Sequence, residues 1–152
     1  MRIRITSENP KETQKIASFF AEALFKKQPL SAKKGALIVS LEGSLGSGKT
    51  EFLKGAAKAF KIKGRITSPT FLIMKSFLCQ KGGFEKLWHL DCYRIKKISE
   101  IKSLDFSDIL ENKNNIVFIE WGNKIKKILP ADSLRIKFKI KGETRRLLEF
   151  DI

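Results

Sequence analysis

The sequence predicts an α/β fold in which a mostly parallel sheet is flanked by helices and carries antiparallel hairpins at its edges. Three observations predict it. Compact apolar runs of strand type alternate with helical patterns through the middle of the chain. One of these runs, Ala36-Leu37-Ile38-Val39-Ser40-Leu41, passes through a glycine-rich turn into a helical pattern. Two pairs of alternating segments, 71–78 with 84–90 and 133–140 with 144–151, turn around glycines and read as hairpins.

The elements follow in order. Residues 2–6 alternate as a first strand. Asn9-Pro10 supplies a cap followed by a proline at the first helical position, where its missing N–H costs nothing. Ile16, Phe19, Phe20, Ala23 and Leu24 form the expected apolar face of that helix, which should end near Lys27-Gln28-Pro29. Residues 30–35 are a polar connector to the 36–41 strand. After the glycine-rich turn, Phe52, Leu53, Ala56, Ala57 and Phe60 recur at helical spacing. The first hairpin turns at Lys81-Gly82-Gly83. Residues 99–110 read as one helix capped by Ser99, with Ile101, Leu104, Ile109 and Leu110 inward. Ile116-Val117-Phe118-Ile119 is a buried strand, 122–128 a short helix, and the second hairpin turns at Gly142.

A length of 152 residues suffices for one well-buried core, and no linker or repeat divides it, so 1–152 is read as a single domain. No run of eighteen apolar residues is present, and the N-terminus lacks the apolar stretch of a signal peptide. Cys79 and Cys92 have no metal or redox spacing. These features point to a cytoplasmic protein without a membrane partner. The net charge of +15 has two readings. It attracts phosphate polymers or acidic proteins. It also fits an A+T-rich codon bias, since lysine outnumbers arginine 24 to 7.

Function is written most clearly in Gly43-Ser44-Leu45-Gly46-Ser47-Gly48-Lys49-Thr50, a complete GxxxxGK[ST] phosphate loop between strand and helix. Backbone N–H groups of such a loop cup phosphates, and the helix start adds its positive dipole end. Lys49 is expected to reach the outer phosphates and the Thr50 hydroxyl to ligate Mg²⁺. The fold is then of P-loop NTPase type. A hydrolytic site needs a second acid. Glu120 ends the buried strand 116–119, which would deliver its carboxylate to the edge of the sheet where ligands bind. Asp91, in Leu90-Asp91-Cys92-Tyr93-Arg94, also ends a strand and is its rival, with an ion pair to Arg94 as the alternative. His89 has no metal-ligand pattern and suits a structural hydrogen bond. Thr67-Ser68-Pro69-Thr70 has the position of a switch segment or of a proline-stiffened turn.

These pieces resemble the bacterial TsaE (YjeE) family. Gly43–Thr50, Ser68-Pro69-Thr70-Phe71, His89-Leu90-Asp91-Cys92-Tyr93-Arg94 and Ile119-Glu120-Trp121-Gly122 stand in that family's order and spacing, and the likeness runs from about residue 5 to the terminal hairpin. The resemblance implies a Mg²⁺-dependent ATPase that serves N6-threonylcarbamoyladenosine formation at position 37 of tRNAs reading ANN codons. It implies TsaD and TsaB as protein partners; contact of the basic surface with tRNA within that complex is one reading of the charge, beside codon bias. It assigns Lys49, Asp91 and Glu120 to catalysis, Thr50 and Glu120 to Mg²⁺, and the loop from Gly43 to Thr50 with the segment near Asn9 to ATP. The terminal hairpin is expected nearby. Two departures stand out: Ser44 replaces the usual loop aspartate, and Asn123 replaces a common acid.

A small-metabolite kinase shares the loop and is the alternative enzyme. Asn123-Lys124-Ile125-Lys126 begins like a guanine-reading motif but has Lys126 where the acid belongs. A basic RNA-binding module with a vestigial loop is the third reading, and intact Lys49, Thr50 and Glu120 argue against it. No arginine lies in or immediately beside the loop, so intrinsic hydrolysis is expected to be slow and raised by partners.

Overall fold

The structure, a computed structural model, describes residues 1–27, 34–68 and 74–152. The expected connector at 30–35 and the start of the first hairpin fall partly outside these residues, as do Pro69, Thr70 and Phe71.

Seven strands form one sheet: β1 (Arg2–Ser7), β2 (Leu37–Glu42), β3 (Met74–Leu78), β4 (Lys86–Asp91), β5 (Asn115–Glu120), β6 (Leu134–Ile140) and β7 (Arg146–Asp151), in the order β1-β7-β6-β2-β5-β4-β3. The four central strands β6, β2, β5 and β4 run parallel. β7 and β1 continue one side through antiparallel pairs, and β3 closes the other as an antiparallel hairpin with β4. The strands β2 and β5 are buried along nearly their whole length, which is why their sequences are continuous apolar runs.

Helices α1 (Pro10–Lys27) and α2 (Lys49–Ala59) cover one face. Asn9 caps α1, its Oδ1 accepting the Glu12 N–H at 3.0 Å. The buried stripe of α1 is Thr13, Ala17, Ala21 and Leu24, while Phe19 is 62% exposed and Ala23 faces out. The apolar face predicted for α1 is therefore rotated. The cause is close packing: a Cβ on Gly55 of α2 would lie 2.1 Å from the Gln14 carbonyl oxygen, and Ser18 donates to the Gly55 carbonyl at 2.8 Å. Two helices that approach this closely need small residues between them. Phe52 of α2 meets Phe20 of α1 and Phe138 and Phe150 of the sheet at centroid distances of 5.7, 5.6 and 6.1 Å. Truncating such a ring to alanine costs about 3–5 kcal/mol.

The opposite face of β2, β5 and β4 packs against α3 (Ser99–Lys102), α4 (Phe106–Glu111) and a 3-10 helix (Gly122–Ile128) around Ile38, Leu90, Val117, Ile119 and Ile125. The single helix expected at 99–110 is thus two short ones. Asp105 adopts a left-handed conformation between them (φ 51°) and turns Phe106 and Ile109 into the core. Ile98, not Ser99, occupies the cap position of α3.

Candidate functional site

The central parallel strands end side by side at one edge of the sheet, and the predicted residues come from those ends. β2 runs into the phosphate loop, β5 ends at Glu120 and β4 ends at Asp91. Leu41 is in register with Glu120, and Glu120 with Asp91. Ligands of open α/β sheets bind at this edge.

The loop is built for a tight cup. Gly46 and Gly48 have φ of 74° and 101°, which L side chains rarely adopt, and Gly48 is the N-cap of α2. Lys49 is 4% exposed. Its Nζ donates to the carbonyls of Gly43 and Ser44, both at 2.8 Å, and sits 4.3 Å from the centre of the Trp121 ring. Burial lowers the Lys49 pKa, and the charges of Glu120 and Asp91 partly oppose that.

Thr50 and Glu120 meet directly. The Thr50 hydroxyl lies 2.9 Å from Oε1 and 3.2 Å from Oε2 of Glu120. Glu120 is 4% exposed, and His89, 1% exposed, reaches its Oε1 through Nε2 at 3.0 Å. A carboxylate only accepts, so this contact places the imidazole proton on Nε2. The structural role expected of His89 takes this form: it holds the Glu120 carboxylate in place. Asp91 accepts the Ser68 hydroxyl at 2.9 Å through Oδ2 and the Tyr93 N–H at 2.9 Å through Oδ1. No bond to Arg94 is formed.

Trp121 follows Glu120 in a left-handed conformation (φ 59°), unusual for a large residue and a local strain. Its N–H donates to the Leu41 carbonyl at 2.9 Å, and its ring packs 5.2 Å from that of Tyr93. Lys124 hydrogen-bonds the Tyr93 carbonyl and lies 5.9 Å from the Trp121 ring.

A cleft of about 320 Å³ is lined by the loop from Leu45 to Glu51 and by Ser68, Asp91, Tyr93, Glu120 and Trp121. It brings together Lys49, Thr50, Asp91 and Glu120. Gly43 and Ser44 form the base of the loop, and Asn9, engaged as the cap of α1, lies outside the cleft wall. A larger hollow of about 510 Å³ lies at the sheet's other edge, beside Arg2, Arg135 and Asp151. Arg2 and Asp151 there are paired with each other at 2.8 Å, and none of the predicted residues is present.

One expectation is corrected. Arg146 of β7 lies beside the loop: its Nη2 donates to the Gly46 carbonyl at 3.1 Å, and its Nη1 to the carbonyls of Gly142, Glu143 and Arg145 at 2.9, 3.2 and 2.9 Å. The terminal hairpin also holds the segment before α1, through Thr144 on the Glu8 carbonyl at 2.7 Å and Arg145 on the Glu8 side chain at 2.8 Å. Proximity along the chain gave no sign of this. The pair Arg145-Arg146 in a hairpin was the signal available.

The donor set fits a hard cation. Thr50 and Glu120 offer a hydroxyl and a carboxylate at hydrogen-bond distance, and the glycine cup opens beside them. Among the described residues no group of three His, Cys, Asp or Glu could hold a metal alone. One hydroxyl and one carboxylate beside a phosphate cup would be enough protein ligands for Mg²⁺, which takes one or two protein oxygens and completes its shell with phosphates and water. Among the described residues no helix is long and apolar enough to cross a membrane.

A family model described as threonylcarbamoyl adenosine biosynthesis protein TsaE matches residues 7–148. The chain is 35% identical to the Bacillus subtilis tRNA threonylcarbamoyladenosine biosynthesis protein TsaE over 93% of its own length and 80% of that protein. It is 34% identical to the Rickettsia prowazekii protein of the same description, over 93% and 90% of the two chains. A crystal structure of Bacillus subtilis YdiB superposes with a TM-score of 0.66 at 29% identity, covering 99% of this chain and 84% of that one.

Proposed function

This chain belongs to the TsaE family, and from that premise we propose that it binds ATP with Mg²⁺ and hydrolyses it in support of threonylcarbamoyladenosine formation on tRNA. The observation that carries the reading is the Thr50–Glu120 contact at the mouth of the phosphate loop, with Asp91 in register beside it. The position 37 target in tRNAs reading ANN codons, and action on a TsaD–TsaB pair in the cytoplasm, belong to the same proposal.

Residue roles follow from placement. Loop N–H groups and the start of α2 bind the phosphates. Lys49 exchanges its two loop carbonyls for phosphate oxygens, a favourable trade because burial already disfavours its charge. Thr50 and Glu120 would hold Mg²⁺, which when bound neutralises charge on the phosphates. His89 keeps the Glu120 carboxylate aimed at that point. Asp91 stands beside Glu120 at the end of the neighbouring strand, where it would orient water for attack at the γ-phosphorus. Trp121 and Tyr93 exclude bulk solvent from one side.

The test is calorimetric titration with ATP and GTP, with and without Mg²⁺, paired with retention of a TsaD–TsaB pair on the immobilised protein. Mg²⁺-strengthened ATP binding and nucleotide-dependent retention are expected. Equal indifference to both nucleotides would overturn the reading, and transfer of the γ-phosphate to a small acceptor would replace it with the kinase alternative.

A further inference from the structure

A second cleft, about 310 Å³, lies along the outer side of α2 and is lined by Gln14, Lys54, Ala57, Lys58, Ile62, Gly64, Arg65 and Ile66. Its cations are Lys54 and Lys58, one helical turn apart on α2, and Arg65. Arg65 is exposed and has no hydrogen-bond or ion-pair partner among the described residues. Lys61 and Lys63 are exposed on the same segment. Between Glu51 and Glu85 the chain carries seven basic residues and no acid. A codon bias acts along the whole chain, whereas this stretch without an acid is local.

The contrast with the sheet's other edge is chemical. There Arg2 and Lys137 share Asp151, and Arg4 and Lys139 share Glu149, so each of these four cations has a carboxylate within 4.0 Å. At the α2 trough Glu51 is already engaged by Lys54 at 2.5 Å and by Gln14 at 2.7 Å, and Lys58 donates to the neutral Gln14 side-chain oxygen at 2.5 Å. Glu51 also lines the nucleotide cleft, so the trough adjoins it.

We propose that this trough is a docking site for the phosphate backbone of RNA. Lysines that track a groove neutralise successive phosphates, and an unpaired guanidinium fork matches a phosphate in two-point contact. The apolar floor of Ala57, Ile62 and Ile66 suits sugar and base edges better than the carboxylates of an acidic protein. The choice of RNA among polyanions also rests on the tRNA reading above. The phosphate affinity of the trough does not.

The test uses the full chain and an unmodified tRNA transcript, followed by fluorescence anisotropy over a range of salt. The trough variant is Lys58→Gln/Lys63→Gln/Arg65→Gln, and the control Lys96→Gln/Lys97→Gln/Lys127→Gln removes the same charge from exposed positions elsewhere. The trough variant should bind tRNA at least about tenfold more weakly and lose about two units from the slope of log affinity against log salt. The control should lose less than about threefold. Fluorescent ADP should bind both variants as it binds the parent protein. Equal tRNA losses in the two variants would overturn the proposal. So would displacement of tRNA by polyglutamate at matched charge, which would assign the trough to an acidic protein. Failure of the parent to bind ADP would reject the phosphate-loop reading and leave the trough comparison standing.

Discussion

Arg146 donates to the Gly46 carbonyl at 3.1 Å across a separation of 100 residues, tying the last strand of the sheet to the tip of the phosphate loop. The same guanidinium holds three carbonyls of its own hairpin, so it acts as a fixed clasp. Arg146→Ala should loosen the loop and cost about 1 kcal/mol of nucleotide affinity, a loss of five- to tenfold by calorimetry. Arg146→Lys should recover only part of it, because an ammonium cannot reproduce the fork. Unchanged affinity in Arg146→Ala would show that the loop holds its shape without the hairpin.

Lys49 offers a separation of binding from stability. Its charge is disfavoured by burial, and in return it makes two good bonds to the loop carbonyls. Lys49→Met removes the charge while keeping the packing under Trp121. ATP binding should fall at least a hundredfold, and the thermal midpoint should stay level or rise slightly. The sign of any pH effect follows from the lowered pKa. The folded state binds this proton less readily than the unfolded chain, so the Lys49 contribution to stability grows as pH climbs toward its ordinary value of 10.5. A mutant that binds ATP normally would remove the basis of the nucleotide site.

Glu120→Gln keeps the shape that Thr50 and His89 grip but removes the charge offered to a cation. Nucleotide should still bind, with hydrolysis down at least about a hundredfold in steady-state phosphate release. Thr50→Ala should weaken binding more with Mg²⁺ present than in its absence. Asp91→Asn should slow turnover with a smaller change in affinity. Normal hydrolysis by Glu120→Gln would mean that the second acid lies on another strand.

The thiols should be silent. Burial pushes the Cys79 pKa up to about 11 and that of Cys92 up to about 12, so at pH 8 almost no thiolate exists at either. A chromogenic disulfide reagent should label neither at pH 8 in the folded protein and both in denaturant. Rapid labelling of Cys92, which is fully buried, would point to opening of the core beneath α3 and α4.

The sequence made the loop and both acids legible because each lies at the end of a strand whose apolar run is hard to mistake. Thr50, Asp91 and Glu120 therefore come together by topology, since β2, β5 and β4 are neighbours. The phase of α1 was not legible. Its buried face is set by the close approach to Gly55, which favours Ala17 and Ala21 over Phe19, and hydrophobicity alone ranks these residues the other way. The break at Asp105 was hidden for a similar reason, since a single left-handed residue between two apolar turns leaves the helical spacing almost intact. The reach of Arg146 to Gly46 depends on β7 lying two strands from β2, a pairing that no local pattern encodes.

Hydrolysis by the isolated chain should be slow and should rise at least about tenfold with a TsaD–TsaB pair. The cleft itself explains why. Among the described residues that line it, Lys49 is the one cation, and charge building on the γ-phosphoryl oxygens calls for another. Arg146 is close but spends its N–H groups on four carbonyls. The rim adds a second reason. Leu45 at the loop tip is 71% exposed and Tyr93 is 48% exposed, two apolar surfaces flanking an open mouth. A partner seated on them would exclude water, strengthen every interaction in the cleft and bring a cation of its own. Leu45→Ser should therefore reduce the stimulation by a larger factor than any change it makes in the slow intrinsic rate. Steady-state phosphate release at fixed Mg²⁺ and salt, with and without the pair, measures both quantities. Full-rate hydrolysis by the chain alone, indifferent to partners, would mean that Arg146 leaves its carbonyls and completes the site from within.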